Sequence, residues 1–248
     1  MSWAWSGNLS NTDLISSWKG TGRQRDSDKV PSKIVYDERG EVSDWGFVSP
    51  ASPADRTTQV EWFKLLLSDE ARQKGGEKVA QAQATLKRLK KDAVDVVADY
   101  LRQLWLHAVE QIELKLTRIA FDNMDIRIVL TVPANWDHKA QDRTKTAAIK
   151  AGITDRRSSG TTPRLKLVTE PEAATLAAWE EAGMWWRPDF KVSTCLSIFT
   201  EAYLFQVGDC FTVCDAGGGT VDLISYRLLS LNPLRLEMCV VATGEYKS

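Results

Sequence analysis

At 248 residues, the chain is long enough to bury the core of one large or two small domains, and its 43% hydrophobic and 26% charged residues are typical of a globular protein. Its 32 basic and 33 acidic side chains nearly cancel to a net charge of -1, which leaves no electrostatic basis for binding nucleic acid or an anionic membrane. The chain has only two histidines and no apolar run of about 18 residues, which argues against a His-based metal site, a Ser-His-Asp triad and a membrane-spanning helix, so we expect a soluble cytoplasmic protein.

Residues 1–48 alternate short apolar runs with turn signals, a pattern that predicts β-strands joined by hairpins. A helix is expected to begin in the segment Glu61–Leu67. From about Glu77 to Leu116, apolar residues recur every three or four positions, which predicts one long amphipathic helix packed on a sheet. A coiled coil is the alternative, but aromatic residues and His107 interrupt a strict heptad. We interpret His107 as a packing or surface residue.

The ten tryptophans are many for a chain of this length. Several stand singly among polar residues in the first quarter of the chain, namely Trp3, Trp5, Trp18, Trp45 and Trp62. Because they are not clustered in the sequence, we interpret them as core anchors and not as a ligand cage.

A strand and a helix are predicted in the middle of the chain. Ile126–Val132 is an apolar, β-branched run that stops at Pro133, as a buried strand before a loop would. Asp137 can cap the next helix, Ala140–Ala151, and Gly152 is well placed to end it.

The same alternation continues towards residue 183. Leu165–Val168 is predicted to be a strand. Thr169, Pro171 and Glu172 then form a capping box with proline in the first turn, which opens a helix that ends near Gly183. Strand, helix, strand and helix in succession indicate an α/β fold.

Three further strands are predicted to form a meander, over Phe211–Asp215, Val221–Leu228 and Leu234–Thr243. All four cysteines lie in the last quarter of the chain: Cys195, Cys210, Cys214 and Cys239. They lack the nearby histidines or the second cysteine pair of a zinc site, so we interpret them as reduced and structural.

The most informative segment is Asp215–Asp222, which joins the first two strands of this meander. Its consecutive glycines are Gly217, Gly218 and Gly219. Because glycine has no Cβ, backbone N–H groups in this bend can surround phosphate oxygens, and the Thr220 hydroxyl can add a donor. Asp215, at the end of the entering strand, could hold a Mg2+ ion through water. Taken alone, such a segment is more often a plain glycine-rich hairpin.

The strands on both sides distinguish this bend from two better-known phosphate sites. A P-loop and a Rossmann fingerprint both lead from their glycines into a helix, and a P-loop ends in Gly-Lys-Ser/Thr. The sequence has neither feature.

A second candidate residue is Glu170, which follows a predicted strand at the start of a helix. Ligands of open α/β sheets gather at such strand ends, and a carboxylate there can orient an attacking water or a metal-bound water. The simpler interpretation is that Glu170 and Glu172 complement the helix dipole, and we accept it for Glu172.

Three segments, in the same order and at similar spacing, resemble the ATPase domain of the heat shock protein 70 family. Val132–Trp136 is similar to its Val-Pro-Ala segment, and Thr169–Ala174 to its Asn-Glu-Pro-Thr-Ala-Ala segment. Asp215–Asp222 resembles its second phosphate loop, Asp-Leu-Gly-Gly-Gly-Thr-Phe-Asp. The resemblance is strong from about residue 126 onward, weak before residue 60, and closest to a divergent branch of the family.

The resemblance implies the actin-like ATPase (ribonuclease H-like) fold, with residues 1–191 as a nearly complete first lobe and residues 207–248 as the start of a second. It implies ATP and Mg2+ as cofactors and client or co-chaperone proteins as partners, since hydrolysis in this family drives a conformational change. The residues it implicates are Gly217, Gly218, Gly219 and Thr220 at the β- and γ-phosphates, Asp215 near Mg2+ and Glu170 near the hydrolytic water.

The chain departs from the family pattern at several places. The family's first phosphate loop, Asp-x-Gly-Thr-Thr, does not occur, and Phe47-Val48-Ser49 stands where its catalytic lysine should follow Trp45-Gly46. We therefore expect a domain truncated at both ends, inactive by itself, that binds ATP more weakly than about 1 mM, because several charge-assisted phosphate contacts are missing. Residues 192–206 have no counterpart in the family, and we hypothesise that they are an insert of translated intron sequence, which sequencing the transcript would test.

Two other functions fit the same residues. The missing lysine and first loop favour a non-catalytic interaction module, or pseudo-ATPase, that binds a partner protein. A small-molecule kinase of the same superfamily is disfavoured, because the Val132–Trp136 and Thr169–Ala174 segments resemble the chaperones and no sugar-recognition cluster is visible.

Overall fold

The computed structural model describes residues 1–5, 8–18, 25–48, 58–181, 206–216, 220–231 and 234–245. The chain divides into two compact units. Unit 1 contains Met1–Ile128 and Asp137–Leu165, and unit 2 contains Val129–Trp136 and Lys166–Ser248. The described part mixes helices with strands, which is compatible with the predicted α/β class.

The first part of unit 1 is built from short antiparallel strands, as the turn signals predicted. They are β1 (Ser2–Trp5), β2 (Asn8–Leu14), β3 (Ser17–Trp18), β4 (Arg25–Asp26), β5 (Lys33–Tyr36), β6 (Val42–Trp45) and β7 (Gln59–Glu61). β1 pairs with β2, β3 pairs with β4, and the other three form a sheet in the order β6-β5-β7. Ile34, in the central strand β5, lies opposite Trp45 on one side and Val60 on the other. These pairs give the sheet its apolar face.

The helices of unit 1 follow this sheet. They are a 3-10 helix at Phe63–Leu67 and the α-helices α1 (Asp69–Lys74), α2 (Glu77–Leu89), α3 (Ala93–Lys115), α4 (Arg118–Asp122) and α5 (His138–Lys150). The start of helical structure within 61–67 and the helix after Asp137 are confirmed. Asp137 caps α5 by accepting a hydrogen bond from the Ala140 N–H at 2.9 Å, and Gly152 after the helix has a φ of 79°. Both residues act as the sequence predicted.

The single long helix predicted from 77 to 116 is wrong, because the chain breaks it into α2 and α3. Lys90 ends α2 in the left-handed region, with a φ of 53°. Asp92 then caps α3, and its carboxylate accepts a hydrogen bond from the Asp95 N–H at 2.8 Å. The apolar period runs through the break, so periodicity alone hides it, although the aspartate before an apolar run is a helix-start signal.

The core of unit 1 joins α3 to the sheet, as expected of an amphipathic helix. Trp18 is 1% exposed, and its ring centroid lies 5.0 Å from that of His107 in α3 and 6.3 Å from that of Trp45. The Trp18 indole N–H also donates to the Ser27 carbonyl at 2.7 Å. Trp18 is therefore a core anchor and His107 a packing residue, which confirms the interpretation of these two. Trp3, Trp45 and Trp62 are half-buried, and the Trp5 side chain lies outside what the structure describes.

Two ion pairs fasten α5 to the other helices of unit 1. The Arg143 guanidinium donates to the Leu67 carbonyl and to the Asp69 carboxylate, each at 2.7 Å. The Lys150 ammonium donates to the Asp95 carboxylate at 2.8 Å. Because Arg143 bonds to the backbone carbonyl of Leu67 as well as to a carboxylate, it also fixes the end of the 3-10 helix.

The chain passes between the units in two paired strands, β8 (Arg127–Val132) and β9 (Arg164–Thr169). The Arg164 N–H donates to the Ile126 carbonyl at 2.9 Å, so the two strands start side by side and run parallel. The prediction that β8 is buried is wrong except at Val132, because Val129 is 55% exposed. In the described ranges β8 pairs with β9 alone, and a two-stranded sheet leaves most side chains in contact with solvent.

Unit 2 combines one helix with an antiparallel meander. Its elements are α6 (Glu170–Glu181), β10 (Cys210–Ala216), β11 (Thr220–Leu231) and β12 (Leu234–Glu245). The order β10-β11-β12 confirms the predicted meander. Ile224, Tyr226 and Leu228 are buried on one face of β11, because alternate residues of a strand share a face.

Parts of three predictions lie outside the described residues. They are the end of α6 near Gly183, the proposed insert at 192–206 except for its last residue, and the domain boundary between residues 191 and 207. Across the ranges that the structure describes, no helix has both the length and the apolar composition needed to cross a lipid bilayer.

Candidate functional site

The candidate phosphate site is the bend of the β10–β11 hairpin. Antiparallel pairing runs from Cys210 opposite Arg227 to Ala216 opposite Val221. Strand structure therefore flanks the bend on both sides, as predicted, and a glycine-to-helix connection of the P-loop or Rossmann type is excluded. The glycines at 217–219 and the side chains of Asp215 and Thr220 lie outside what the structure describes.

The hairpin register brings a second acidic residue to the bend. Asp215 lies directly opposite Asp222, one pair before the last pair of the hairpin. Like charges at directly opposed positions destabilise an antiparallel ladder unless something compensates them. Asp222 has no predicted role, although the sequence already shows an aspartate two residues before the glycines and another three residues after them.

The second candidate residue, Glu170, is the first residue of α6 and directly follows β9. Its side chain is half-buried. The neighbouring Thr169 caps the helix, because its hydroxyl accepts a hydrogen bond from the Glu172 N–H at 3.3 Å. Pro171 is fully buried, and its carbonyl accepts a hydrogen bond from the Thr175 hydroxyl at 2.7 Å. The predicted cap and the proline in the first turn are confirmed, so the position of Glu170 at the helix start is well determined.

Within unit 2, α6 packs against β10. The start of α6 also lies close to Tyr226 of β11. Burial raises the pKa of Tyr226, a hydrogen bond with the Thr169 side chain lowers it in part, and the nearby Glu172 carboxylate raises it again. The sequence offered no signal for this contact, because it depends on how a helix and a distant strand pack.

Tyr226 lies near the end of the hairpin that is away from the bend. It pairs with Phe211 and is five residues from Val221, a distance of roughly 17 Å along an extended strand. The structure thus brings the helix of Glu170 and the hairpin of Asp215 together in one unit. That the Glu170 carboxylate lies next to the glycine bend stays a prediction.

No group of three or more His, Cys, Asp or Glu side chains that could hold a metal occurs among the described residues, which do not include the Asp215 side chain. Three exposed cysteines of unit 2 are free thiols: Cys210, Cys214 and Cys239. Cys195 lies outside the described residues. The interpretation that the cysteines are reduced is confirmed for these three, and their exposure leaves their side chains accessible to solvent.

Sequence comparison indicates a distant relationship to the heat shock protein 70 class. No protein-family model matches the chain. The similarity is to individual proteins, and it is weak enough that it supports a remote relationship and no finer assignment.

Two similar proteins are Heat shock 70 kDa protein 12A of Homo sapiens and the protein of the same name in Mus musculus. Each is 28% identical to this chain over an alignment that covers 44% of the chain and 20% of the relative. The aligned part of the chain thus spans about a fifth of the length of the relatives that it matches.

Proposed function

We propose that the chain is part of an ATP-binding domain of the heat shock protein 70-like, actin-like ATPase type. In the complete protein, ATP hydrolysis would be coupled to a chaperone-type conformational change with client or co-chaperone proteins as partners. The observation that supports this most directly is the β10–β11 hairpin, in which strands enter and leave a triple-glycine bend. The helix that begins at Glu170 packs on the same hairpin, and the distant relatives belong to the same class.

The proposed site uses backbone and carboxylate groups for different tasks. N–H groups of Gly217, Gly218 and Gly219 and the hydroxyl of Thr220 donate to the β- and γ-phosphate oxygens. Asp215 holds hydrated Mg2+, and the cation also offsets the repulsion between Asp215 and the opposed Asp222.

The Glu170 carboxylate orients the water that attacks the γ-phosphate. Phosphoryl transfer needs little covalent chemistry from the protein, so positioning and charge stabilisation account for most of the catalysis. The half-buried position of Glu170 at a helix start suits a carboxylate with one defined orientation.

The test is a Mg-ATP titration followed by 31P and protein NMR up to about 10 mM nucleotide, because affinities near 1 mM correspond to only about 4 kcal/mol of binding free energy. Gly218→Val should abolish binding, since a Cβ and a branched side chain would obstruct the bend. Gly76→Val is the matched control. Gly76 has a φ of -65°, and a Cβ there meets no atom within 4 Å.

Retained binding in Gly76→Val with loss in Gly218→Val supports the proposal. Absence of Mg-ATP binding by the unmodified chain, or equal loss in both variants, contradicts it. Free Mg2+ without nucleotide should shift the resonances of Asp215 and Asp222 in the unmodified chain.

A pseudo-ATPase that binds a partner protein is the second candidate, and Phe47-Val48-Ser49 in place of the catalytic lysine favours it. Phosphate release by the complete domain separates the two, because this chain is expected to be inactive by itself. An ATPase releases phosphate at a rate that Glu170→Gln lowers by about 100-fold or more, the usual contribution of a positioned general base. A pseudo-ATPase that binds Mg-ATP shows no release above background in either protein.

A further inference from the structure

The exposed face of the meander brings together two thiols and one guanidinium. Cys210 in β10 lies opposite Arg227 in β11, and Arg227 lies opposite Glu237 in β12. Directly opposed residues share a face, so these three side chains form a row across the sheet. Cys239 follows two residues after Glu237, at a β-bulge where it has no opposed partner. All four residues are exposed.

Arg227 lies directly opposite Cys210 in the neighbouring strand. The Cys210 side chain, followed by that of Cys239, raises the pKa of the Arg227 guanidinium, so both thiols lie within its electrostatic reach. Its nearest carboxylate oxygen, from Glu237, is 3.4 Å away, and both side chains of this ion pair are about half exposed. Such long, solvated ion pairs are weak, so the guanidinium can exchange Glu237 for another carboxylate.

We propose that Cys210 is a site of mixed-disulfide formation with anionic low-molecular-weight disulfides, and that Arg227 binds a carboxylate of the incoming disulfide. The Cys210 thiol loses its proton, and its sulfur attacks one sulfur of the small disulfide. A new bond forms between the Cys210 Sγ and that sulfur, and the original S–S bond breaks. The leaving sulfur takes up the electron pair and a proton, so Cys210 is oxidised and the released thiol is reduced.

The geometry of the sheet favours an external disulfide over an internal one. Cys210 and Cys239 lie on strands separated by β11, so their Cα atoms are roughly 10 Å apart, at two strand spacings. A disulfide requires a Cα separation below about 7 Å. The two thiols therefore cannot oxidise each other without disrupting the meander, and each remains available to a small reagent.

The same strand provides a reference thiol. Cys214 is four residues beyond Cys210, is also exposed, and shares its face because alternate residues of a strand point the same way. Its opposed residue is Leu223, which is 40% exposed and carries no charge. Cys210 and Cys214 thus differ mainly in whether a guanidinium lies across the strand.

The experiment compares the two thiols in the folded chain with glutathione disulfide, which carries carboxylates, and with the neutral hydroxyethyl disulfide. Fragment-ion mass spectrometry at successive times gives the rate of mixed-disulfide formation at each cysteine. With glutathione disulfide, Cys210 should react about twofold to fivefold faster than Cys214, the scale of one half-exposed charge interaction. The ratio should fall towards one with the neutral disulfide, because that reagent offers Arg227 no carboxylate.

Two variants of opposite effect complete the test. Arg227→Gln should remove the preference for glutathione disulfide at Cys210, whereas Glu237→Gln should increase it by freeing the guanidinium. Equal rates at Cys210 and Cys214, or a preference that persists in Arg227→Gln, would overturn the proposal. The Glu237→Gln arm guards against misfolding, because a disrupted sheet cannot raise the preference. No nucleotide takes part, so the result is independent of the proposed ATPase function.

Discussion

The two units of this chain are stabilised in different ways. In unit 1, side chains far apart in sequence meet in a mixed core, where Trp18 packs on His107 and Trp45. Ion pairs such as Arg143 with Asp69 then tie the helices together. In unit 2, β10, β11 and β12 are joined by a long ladder of backbone hydrogen bonds. The described part of this unit has few buried side chains.

This difference bears on where function can reside. Binding and catalytic residues are found disproportionately on exposed connections that a rigid scaffold holds in place. Unit 2 contains the candidate phosphate bend, the opposed Asp215 and Asp222, and the exposed cysteines next to Arg227. The largest effects on stability are accordingly expected from substitutions in unit 1.

Trp18→Ala should have the largest effect, because it removes a large aromatic ring that is only 1% exposed, together with its hydrogen bond to Ser27. We expect a loss of about 3 to 5 kcal/mol in the free energy of unfolding, measured by urea denaturation. Trp18→Phe should recover part of this loss, since it retains a ring next to His107. A loss below about 1 kcal/mol would mean that the aromatic cluster does not stabilise unit 1.

Leu228→Ala tests the same quantity in unit 2. Leu228 is 0% exposed, but adjacent side chains can relax, so we expect about 2 to 3 kcal/mol, at the low end for a buried leucine. Hydrogen exchange of the β10–β11 amides measures the effect within unit 2. The neighbouring Leu229 is 48% exposed, so Leu229→Ala should change the exchange little. Equal effects of the two variants would contradict the assigned burial.

Alkaline pH should destabilise unit 1. Burial raises the pKa of Tyr100 to about 12, against a partial opposing effect of a hydrogen bond to Ser32. Because the pKa of Tyr100 is higher in the folded chain than in the unfolded chain, the protonated phenol stabilises the fold. This contribution of about 2 to 3 kcal/mol is fully present below the unfolded pKa of about 10 and is lost as pH rises through 12.

Burial, followed by the Asp99 carboxylate, also raises the pKa of Tyr36, so its contribution has the same sign. Urea denaturation of the unmodified chain and of Tyr100→Phe at pH 9 and pH 12 measures the difference. The variant should lose less stability over this interval. A larger loss in the variant would show that Tyr100 is not the titrating group.

The smallest effect on the free energy of unfolding is expected from the ion pair of Lys150 with Asp95, because both side chains are 40% exposed or more. The hydrogen bond from Lys150 lowers the pKa of Asp95, so the pair stabilises unit 1 above the unfolded pKa of about 3.9 and the contribution is lost as pH falls through the folded pKa. A double-mutant cycle with Lys150→Met and Asp95→Asn should give a small coupling at pH 7 and none at pH 2. Coupling that persists at pH 2 would exclude an ionic origin.

Local sequence signals predicted many of the elements correctly. The caps at Asp137 and Thr169 and the glycine bend between two strands were each identified from a few adjacent residues. These signals act over one turn of helix or one hairpin, so no distant partner has to be known. The break at Lys90 was missed because the apolar period continues on both sides of it.

The sequence by itself indicated where most helices and strands lie, which bend could bind phosphate, and which carboxylates could serve it. Tertiary structure decided that β8 is largely exposed, that Thr169 contacts Tyr226, and that Arg227 lies across the sheet from a thiol. Burial and strand register depend on segments tens of residues apart, and their pairing is a property of the whole packed unit. None of these three features could be identified from any single stretch of the chain.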